Sequence, residues 1–299
     1  MYQLKKKLHE REKAYKSGNL RSIALDVTNK CNMNCRFCYA ETFAEKTPVP
    51  LDILKKALDE AYEMGVCHYI LQGGEVFADY ERLKKIISMI YPDETYINIV
   101  SNGWAITKEK VEELKGLQVD KITFSLDSGI EKEHDENRMD GRYQRVLTAI
   151  ELVKASGLLT GISTVVTHES LYSEGFKKAY EIAKDKGIRF DVQIAELYQN
   201  SPIMENGQTM VKRDLYRGNG EVCCPAGTEF MAITVDGNFL PCNFIQASLG
   251  NIREKSLKEM RGDLLKYCIL GESDKYFNEI VAKYQNQEKP LDAYEVFGL

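Results

Sequence analysis

NKCNMNCRFCYAE, residues 29–41, places Cys31, Cys35 and Cys38 within eight positions. It follows SIALDVT (22–28), a β-branched, apolar run that reads as a strand. The pattern of strand, small-residue loop and amphipathic run then recurs along the chain. Strands are expected at 22–28, 67–73, 95–102, 120–127, 159–167 and 189–197. Helices, with apolar residues three and four apart, are expected at 51–65, 80–91, 107–116, 143–157 and 176–187. Six strands alternating with helices mean a parallel sheet with right-handed crossovers, either an open doubly wound sheet or an incomplete barrel.

Chemistry in such a sheet collects at the C-terminal ends of the strands. The cysteines follow strand one there. Gly73, Gly74 and Glu75 close strand two; Ser101, Asn102 and Gly103 close strand three; Ser125, Leu126 and Asp127 close strand four. Each group alone reads as a turn, since Gly, Ser, Asn and Asp are ordinary turn formers. Their coincidence with the cysteine loop marks one rim as a site.

Composition narrows the class. A net charge of −5 with interspersed signs argues against a nucleic-acid partner. No apolar run approaches the ~20 residues of a membrane span, and the charged N-terminus MYQLKKKLHEREKAYK is no secretory signal. A cytoplasmic protein is expected. Its 8 cysteines then point to metal or redox chemistry rather than disulfides. Structural zinc closes its tetrahedron with four protein ligands, but the next Cys and His, Cys67 and His68, lie a helix away. A [4Fe–4S] cluster is normally held by four thiolates, so three leave one iron open for a small molecule. Tyr39, directly after Cys38, is placed to lie against that molecule. Cys67 opens strand two and reads as packing.

CNMNCRFCY resembles the CxxxCxxC-plus-aromatic signature of the radical S-adenosylmethionine (radical SAM) superfamily. The resemblance covers about residues 20–200 and implies an α/β fold, a partial (β/α)6 TIM-like barrel. It implies a [4Fe–4S] cluster on Cys31, Cys35 and Cys38 whose open iron binds the amino and carboxylate groups of S-adenosylmethionine. Reductive cleavage then gives a 5′-deoxyadenosyl radical that abstracts a hydrogen atom, with flavodoxin or ferredoxin as electron donor. Gly73–Gly74–Glu75 resembles the family's GGEP, which reaches the methionine ammonium, with Val76 replacing the usual Pro. A carboxylate pairs well with an ammonium. Ser101, Asn102, Ser125 and Asp127 fall where family members contact the ribose or the methionine carboxylate. HDENR (134–138) resembles a segment whose arginine holds that carboxylate. Arg138 suits this by its bidentate fork, and a surface salt bridge is its alternative.

Beyond the barrel, residues 198–222 lose the alternation and read as a linker. Tyr198, Arg213, Tyr216 and Arg217 either line the substrate side or belong to a plain polar connection. FMAITVDGNFLPC (230–242) reads as a β-hairpin turning at Asp236–Gly237. The spacing of Cys224, Gly237 and Cys242, followed by LGNI (249–252), resembles the SPASM and twitch extensions that bind auxiliary [4Fe–4S] clusters. The later CxxC groups of a full SPASM domain are missing, so one auxiliary cluster at most is expected. Cys224, Cys242 and Cys268 are its candidate ligands, with a core thiol on the run LLKYCIL as the alternative reading of Cys268. Cys223 is a candidate hydrogen donor to a substrate radical, as in epimerases of this family.

The expected organisation is an N-terminal helix over 1–19, the barrel over 20–200, and the linker with its hairpin-plus-helix extension over 201–299. Relatives with such an extension mostly crosslink or epimerise peptides, and others oxidise or epimerise aminoglycosides and sugars. The 21 residues before the first strand are too few for the leader-binding domain that many peptide maturases carry. A peptide substrate leads on family frequency and a small molecule is the alternative. A non-catalytic iron–sulfur carrier is a third reading, against which Glu75 and Arg138 speak. A sulfatase-type maturase expects a fuller cysteine set.

Overall fold

The computed structural model describes Lys7 and residues 20–35, 38, 46–167, 169–171, 173–194, 227, 229–243, 247–266 and 291–292. Strands β1 (Ser22–Thr28), β2 (His68–Gly73), β3 (Tyr96–Ser101), β4 (Lys121–Ser125), β5 (Leu159–Val166) and β6 (Arg189–Ile194) lie side by side, all parallel. Helices α1 (Leu51–Glu63), α2 (Tyr80–Met89), α3 (Lys108–Gly116), α4 (Glu131–Arg138), α5 (Arg142–Ala155) and α6 (Glu174–Lys186) fill the crossovers. The expected α/β alternation is present, and the sheet is open rather than closed into a ring.

Strand alternation sets the two faces. Ile23, Leu25, Val27, Tyr69, Leu71, Ile97, Ile99, Ile122, Phe124 and Ile162 form one core with helix residues such as Leu54, Leu58, Leu83, Ile86 and Ile150. Truncating one of these, Leu83 for instance, costs about 2–5 kcal/mol. The opposite face is mostly polar. Ser22 Oγ meets His68 Nδ1 at 3.1 Å, Thr123 Oγ1 donates to Asn98 at 2.9 Å, and Gln72 donates to Asp26 at 3.3 Å. Such a lining suits a wet cavity facing a ligand better than a packed core.

The extension does not stand apart. After residue 227, strand β7 (Phe230–Ile233) pairs in parallel with β1, and β8 (Phe239–Leu240) returns antiparallel to β7. The hairpin thus continues the barrel sheet on its β1 side, in the order β6-β5-β4-β3-β2-β1-β7-β8. Its Gly237, at φ +93°, takes the left-handed turn position that the sequence assigned to it. A short pair, β9 (Ala247–Ser248) with β10 (Leu291–Asp292), and helix α7 (Leu257–Lys266) complete the described extension.

Of the expected N-terminal helix, only Lys7 is described. It is helical and buried, and its Nζ binds both oxygens of Asp120 beneath the start of β4. The linker 198–222 lies outside the described residues. No helix among those described is long and apolar enough to cross a membrane.

Candidate active site

The cysteine loop leaves β1 at Thr28 and is fastened to the end of β2. Thr28 Oγ1 accepts from Lys30 N, Gly74 N donates to Thr28 O at 2.7 Å, and Glu75 N donates to Lys30 O at 2.8 Å. This backbone contact leaves no room for side chains. A Cβ on Gly73 would stand 2.4 Å from Thr28 O, and one on Gly74 would stand 2.2 Å from Lys30 O. Gly73 also sits at φ +133°. The two glycines therefore have a first task in the protein itself, holding the cysteine loop against β2.

Cys31 is exposed, Cys35 and Cys38 are half-buried, and none of the three is in a disulfide. Cys38 N donates to Cys35 O at 3.2 Å, which curls the loop. Although Cys31 is exposed as a residue, its thiol is pushed up to about 11, first by burial and then by the nearby Cys35, Glu75 and Cys38, against a backbone bond from Met33. A crowded thiol that resists ionisation is relieved by a metal that takes up thiolate charge. Among the described residues no three Cys, His, Asp or Glu side chains are gathered as around a single metal ion. The donor set still fits a cluster with one open iron: three soft ligands on one loop and no fourth. Tyr39 lies outside the described residues.

Glu75 is 2% exposed. One carboxylate oxygen accepts from Ser101 Oγ at 2.8 Å and Phe77 N at 3.2 Å, and the other from Asn102 N at 2.7 Å. No Lys or Arg among the described residues forms an ion pair with it. Burial raises its pKa, against the pull of those three donors and the charge of Lys110. This carboxylate is aimed and hydrogen-bonded but lacks a cation, which fits an ammonium ligand. Val76 does not disturb the turn. It is the first residue of a 3₁₀ helix (Val76–Asp79) that Glu75 itself caps, a position where Pro and Val both fit.

Ser101 and Asn102 serve this carboxylate. Ser101 Oγ donates to Glu75 and accepts from Gly103 N, while Asn102 Oδ1 accepts from Trp104 N. Asn102 Nδ2 donates to Asn32 Oδ1 at 2.9 Å, tying β3 to the cysteine loop. Across the sheet, Asp127 takes Arg138 bidentately, Nε at 2.6 Å and Nη2 at 2.9 Å, and also accepts from Val165 N. Both its oxygens are occupied, so Asp127 positions Arg138. Burial pushes the Asp127 carboxyl up, but Arg138, His134 and the Val165 N–H together bring it below the usual range. His134 accepts from Asp127 N, and burial holds its pKa down at about 4, so it is neutral at pH 7. Arg138 is half-buried, with its partner Asp127 fully enclosed, and its Nη1 points at Cys35 Sγ, 3.8 Å away. Ser125, half-buried at the end of β4, has no side-chain partner among the described residues.

Sequence reasoning missed Asn32, Arg142 and Trp104, which adjoin the same loop. Arg142 Nη2 donates to Asn32 O at 3.3 Å, and its guanidinium stacks on the Trp104 ring. No pattern in GRY or NGW advertises this.

In the extension, Cys242 is buried. The register Ala24↔Ala232↔Leu240 places it, two residues further along β8's direction, level with Ser22 at the foot of β1. The cysteine loop leaves the other end of that strand, ~20 Å away at ~3.3 Å per residue. Cys223, Cys224 and Cys268 lie outside the described residues. Cys67 is buried at the foot of β2, with Sγ toward Arg21 O at 3.9 Å, away from the site rim, as the packing reading expects.

Comparison with known proteins agrees. The profile of the Radical SAM superfamily matches residues 25–179, just over half the chain, and that of SPASM, an iron-sulfur cluster-binding domain, matches residues 223–282. An AdoMet-dependent heme synthase of Methanosarcina barkeri is 26% identical over 293 residues, covering 80% of this chain and 81% of that protein. The antilisterial bacteriocin subtilosin biosynthesis protein AlbA of Bacillus subtilis is 25% identical over 260 residues, covering 79% of this chain and 58% of that protein. In fold, the chain is similar to Streptococcus suis SuiB bound to its precursor peptide SuiA, with a TM-score of 0.64 at 18% identity, over 97% of this chain and 79% of that one. The chain belongs to the radical SAM superfamily and is an S-adenosylmethionine-dependent [4Fe–4S] enzyme whose barrel is followed by an auxiliary iron–sulfur cluster domain.

Proposed function

We propose that this enzyme modifies a peptide, with Cys31, Cys35 and Cys38 holding the radical-generating cluster and Glu75 holding the methionine ammonium of S-adenosylmethionine. A [4Fe–4S] cluster held by those three thiolates would supply the electron that cleaves S-adenosylmethionine for hydrogen-atom abstraction from the substrate. The observation that carries the cofactor assignment is Glu75, buried beside the cysteine loop with three donors and no ion-pair partner among the described residues. Ser101 and Asn102 keep its carboxylate aimed. Arg138, steered by Asp127, and the open hydroxyl of Ser125 supply the donors for the methionine carboxylate. A small acidic electron-transfer protein of the flavodoxin or ferredoxin class is the reductant.

The peptide reading rests on the likeness to the subtilosin biosynthesis protein over 79% of this chain. The half-buried inner rim supports it, since Asp26 and Gln72 offer the hydrogen-bonding groups that amides require. Cys224, Cys242 and Cys268 are proposed as auxiliary-cluster ligands and Cys223 as a hydrogen donor. A Cys223→Ala variant that still incorporates solvent deuterium at an inverted carbon removes the donor role. The heme synthase, of which this chain covers 81%, favours a second reading with a small tetrapyrrole substrate.

The test is reconstitution with short peptides encoded beside the gene and, separately, with tetrapyrroles, reading substrate mass and 5′-deoxyadenosine. A peptide mass change supports the first reading, and turnover of a tetrapyrrole alone supports the second. In either case the Cys31/Cys35/Cys38→Ala variant should lose about four irons and all 5′-deoxyadenosine formation. Retained cleavage in that variant sinks the cluster assignment.

A further inference from the structure

We propose that Arg142 is the protein's counter-charge to the radical-generating cluster and raises that cluster's reduction potential. The inference rests on the reading that Cys31, Cys35 and Cys38 hold the cluster. Arg142 opens α5 and is 8% exposed. Its Nη2 reaches the carbonyl of Asn32, the residue after Cys31, at 3.3 Å. Its guanidinium carbon lies 3.8 Å from the centroid of the Trp104 ring. Its Nε and Nη1 are buried without a hydrogen-bond partner. No carboxylate among the described residues pairs with it.

That arrangement is unusual for arginine. The guanidinium stays protonated in proteins, and a buried charge is costly unless it is paired. The indole face offsets part of that cost, but it cancels no charge. Arg145 adds a second cation at the same indole, 5.6 Å from its centroid, with Nε donating to Trp104 O. Arg138 shows the contrast four positions earlier, where its charge is matched by Asp127.

The missing negative charge has a natural source in the cysteine loop. A 2+ four-iron core held by three thiolates is a net anion, and one-electron reduction makes it more negative. A fixed cation one residue from a ligand favours the reduced form, and burial keeps solvent and salt from screening it. Asn32 is the connector, with its side chain bound to Asn102 and its carbonyl to Arg142.

Two variants separate charge from mere clamping. Arg142→Met keeps length and removes charge, while Arg142→Lys keeps charge and loses the stacked plane. The readout is the midpoint of the [4Fe–4S]2+/+ couple in the reconstituted holoenzyme, followed by EPR during a redox titration. The Met variant should shift to lower potential and the Lys variant should stay near wild type. An unchanged midpoint in Met, or an equal drop in both, overturns the proposal.

A second measurement needs no cluster. Without iron the cation is uncompensated, so cluster-free Arg142→Met should melt at or above the wild-type temperature. A clearly lower melting temperature would show the charge to be balanced inside the protein, and it overturns the proposal too. A Cys31/Cys35/Cys38→Ala variant with the full iron content of wild type would instead overturn the cluster assignment and this proposal with it, a failure distinct from an unchanged midpoint.

Discussion

At the ends of β2 and β4 two carboxylates lie almost equally deep, Glu75 at 2% and Asp127 at 6% exposure, and the protein treats them in opposite ways. Asp127 is given a bidentate arginine, and its pKa falls below the usual range despite burial. Glu75 is given three neutral donors and, among the described residues, no ion-pair partner, and its pKa rises. Burial acts on both in the same direction, so the difference lies in the partner. A carboxylate paired within the chain builds the site. One without a cation among the described residues, yet held in place, is on our proposal the seat of the methionine ammonium.

That distinction separates stability from binding. Asp127→Ala strands the Arg138 guanidinium and should cost about 3–5 kcal/mol of folding stability, read from the denaturation midpoint. Because the folded pKa of Asp127 is lowered, the pair's contribution is complete above the unfolded value near ~3.9 and is lost as pH falls through the folded one. An Asp127→Ala variant as stable as wild type would erase the contrast.

Glu75→Gln should do the reverse. Folding changes little, while S-adenosylmethionine affinity drops ~10–100-fold, the loss of a charge-assisted pair worth ~1.5–3 kcal/mol. With its pKa raised, wild-type affinity should weaken as pH falls through a value above the ordinary ~4.3. Calorimetric titration from neutral to acidic pH checks both points. Equal affinity in the variant would return Glu75 to a structural role.

Much of this rim was legible in the sequence because its signals are local. β-branched runs, helical periodicity and three close thiols need only neighbouring residues to be read. Helix α4 escaped because, of its eight residues, only His134 is buried, so EKEHDENR carries no apolar stripe. The pairing of β7 with β1 escaped because nothing in FMAI names a strand two hundred residues earlier. The Gly73–Gly74 contact was visible as composition only, and its reason, backbone oxygens where a Cβ would go, needs coordinates. Arg142 was invisible for a further reason. An arginine in a polar helix start reads as solvent-facing, and only its stack on Trp104 and its reach to Asn32 bury it.

A third carboxylate extends the comparison to the joint between barrel and extension. Glu60, on α1, accepts from Leu257 N and Lys258 N at 2.9 Å each, the first two amides of α7. Ser256 takes the next amide, Glu259 N, at 3.1 Å. The start of α7 is thus capped across the chain, and a negative charge sits at its positive end. Here the partner is neither a cation nor a ligand but a helix terminus, so the expected effect is the smallest of the three. Glu60→Ala should cost about 1 kcal/mol, and Glu60→Gln less, because one acceptor survives. Hydrogen exchange locates the loss. It should appear at residues 257–260 and leave β2 and β3 protected, with S-adenosylmethionine affinity unchanged. Exchange that rises throughout the barrel would mean that α7 is integral to the sheet's stability rather than docked onto it by its capped end.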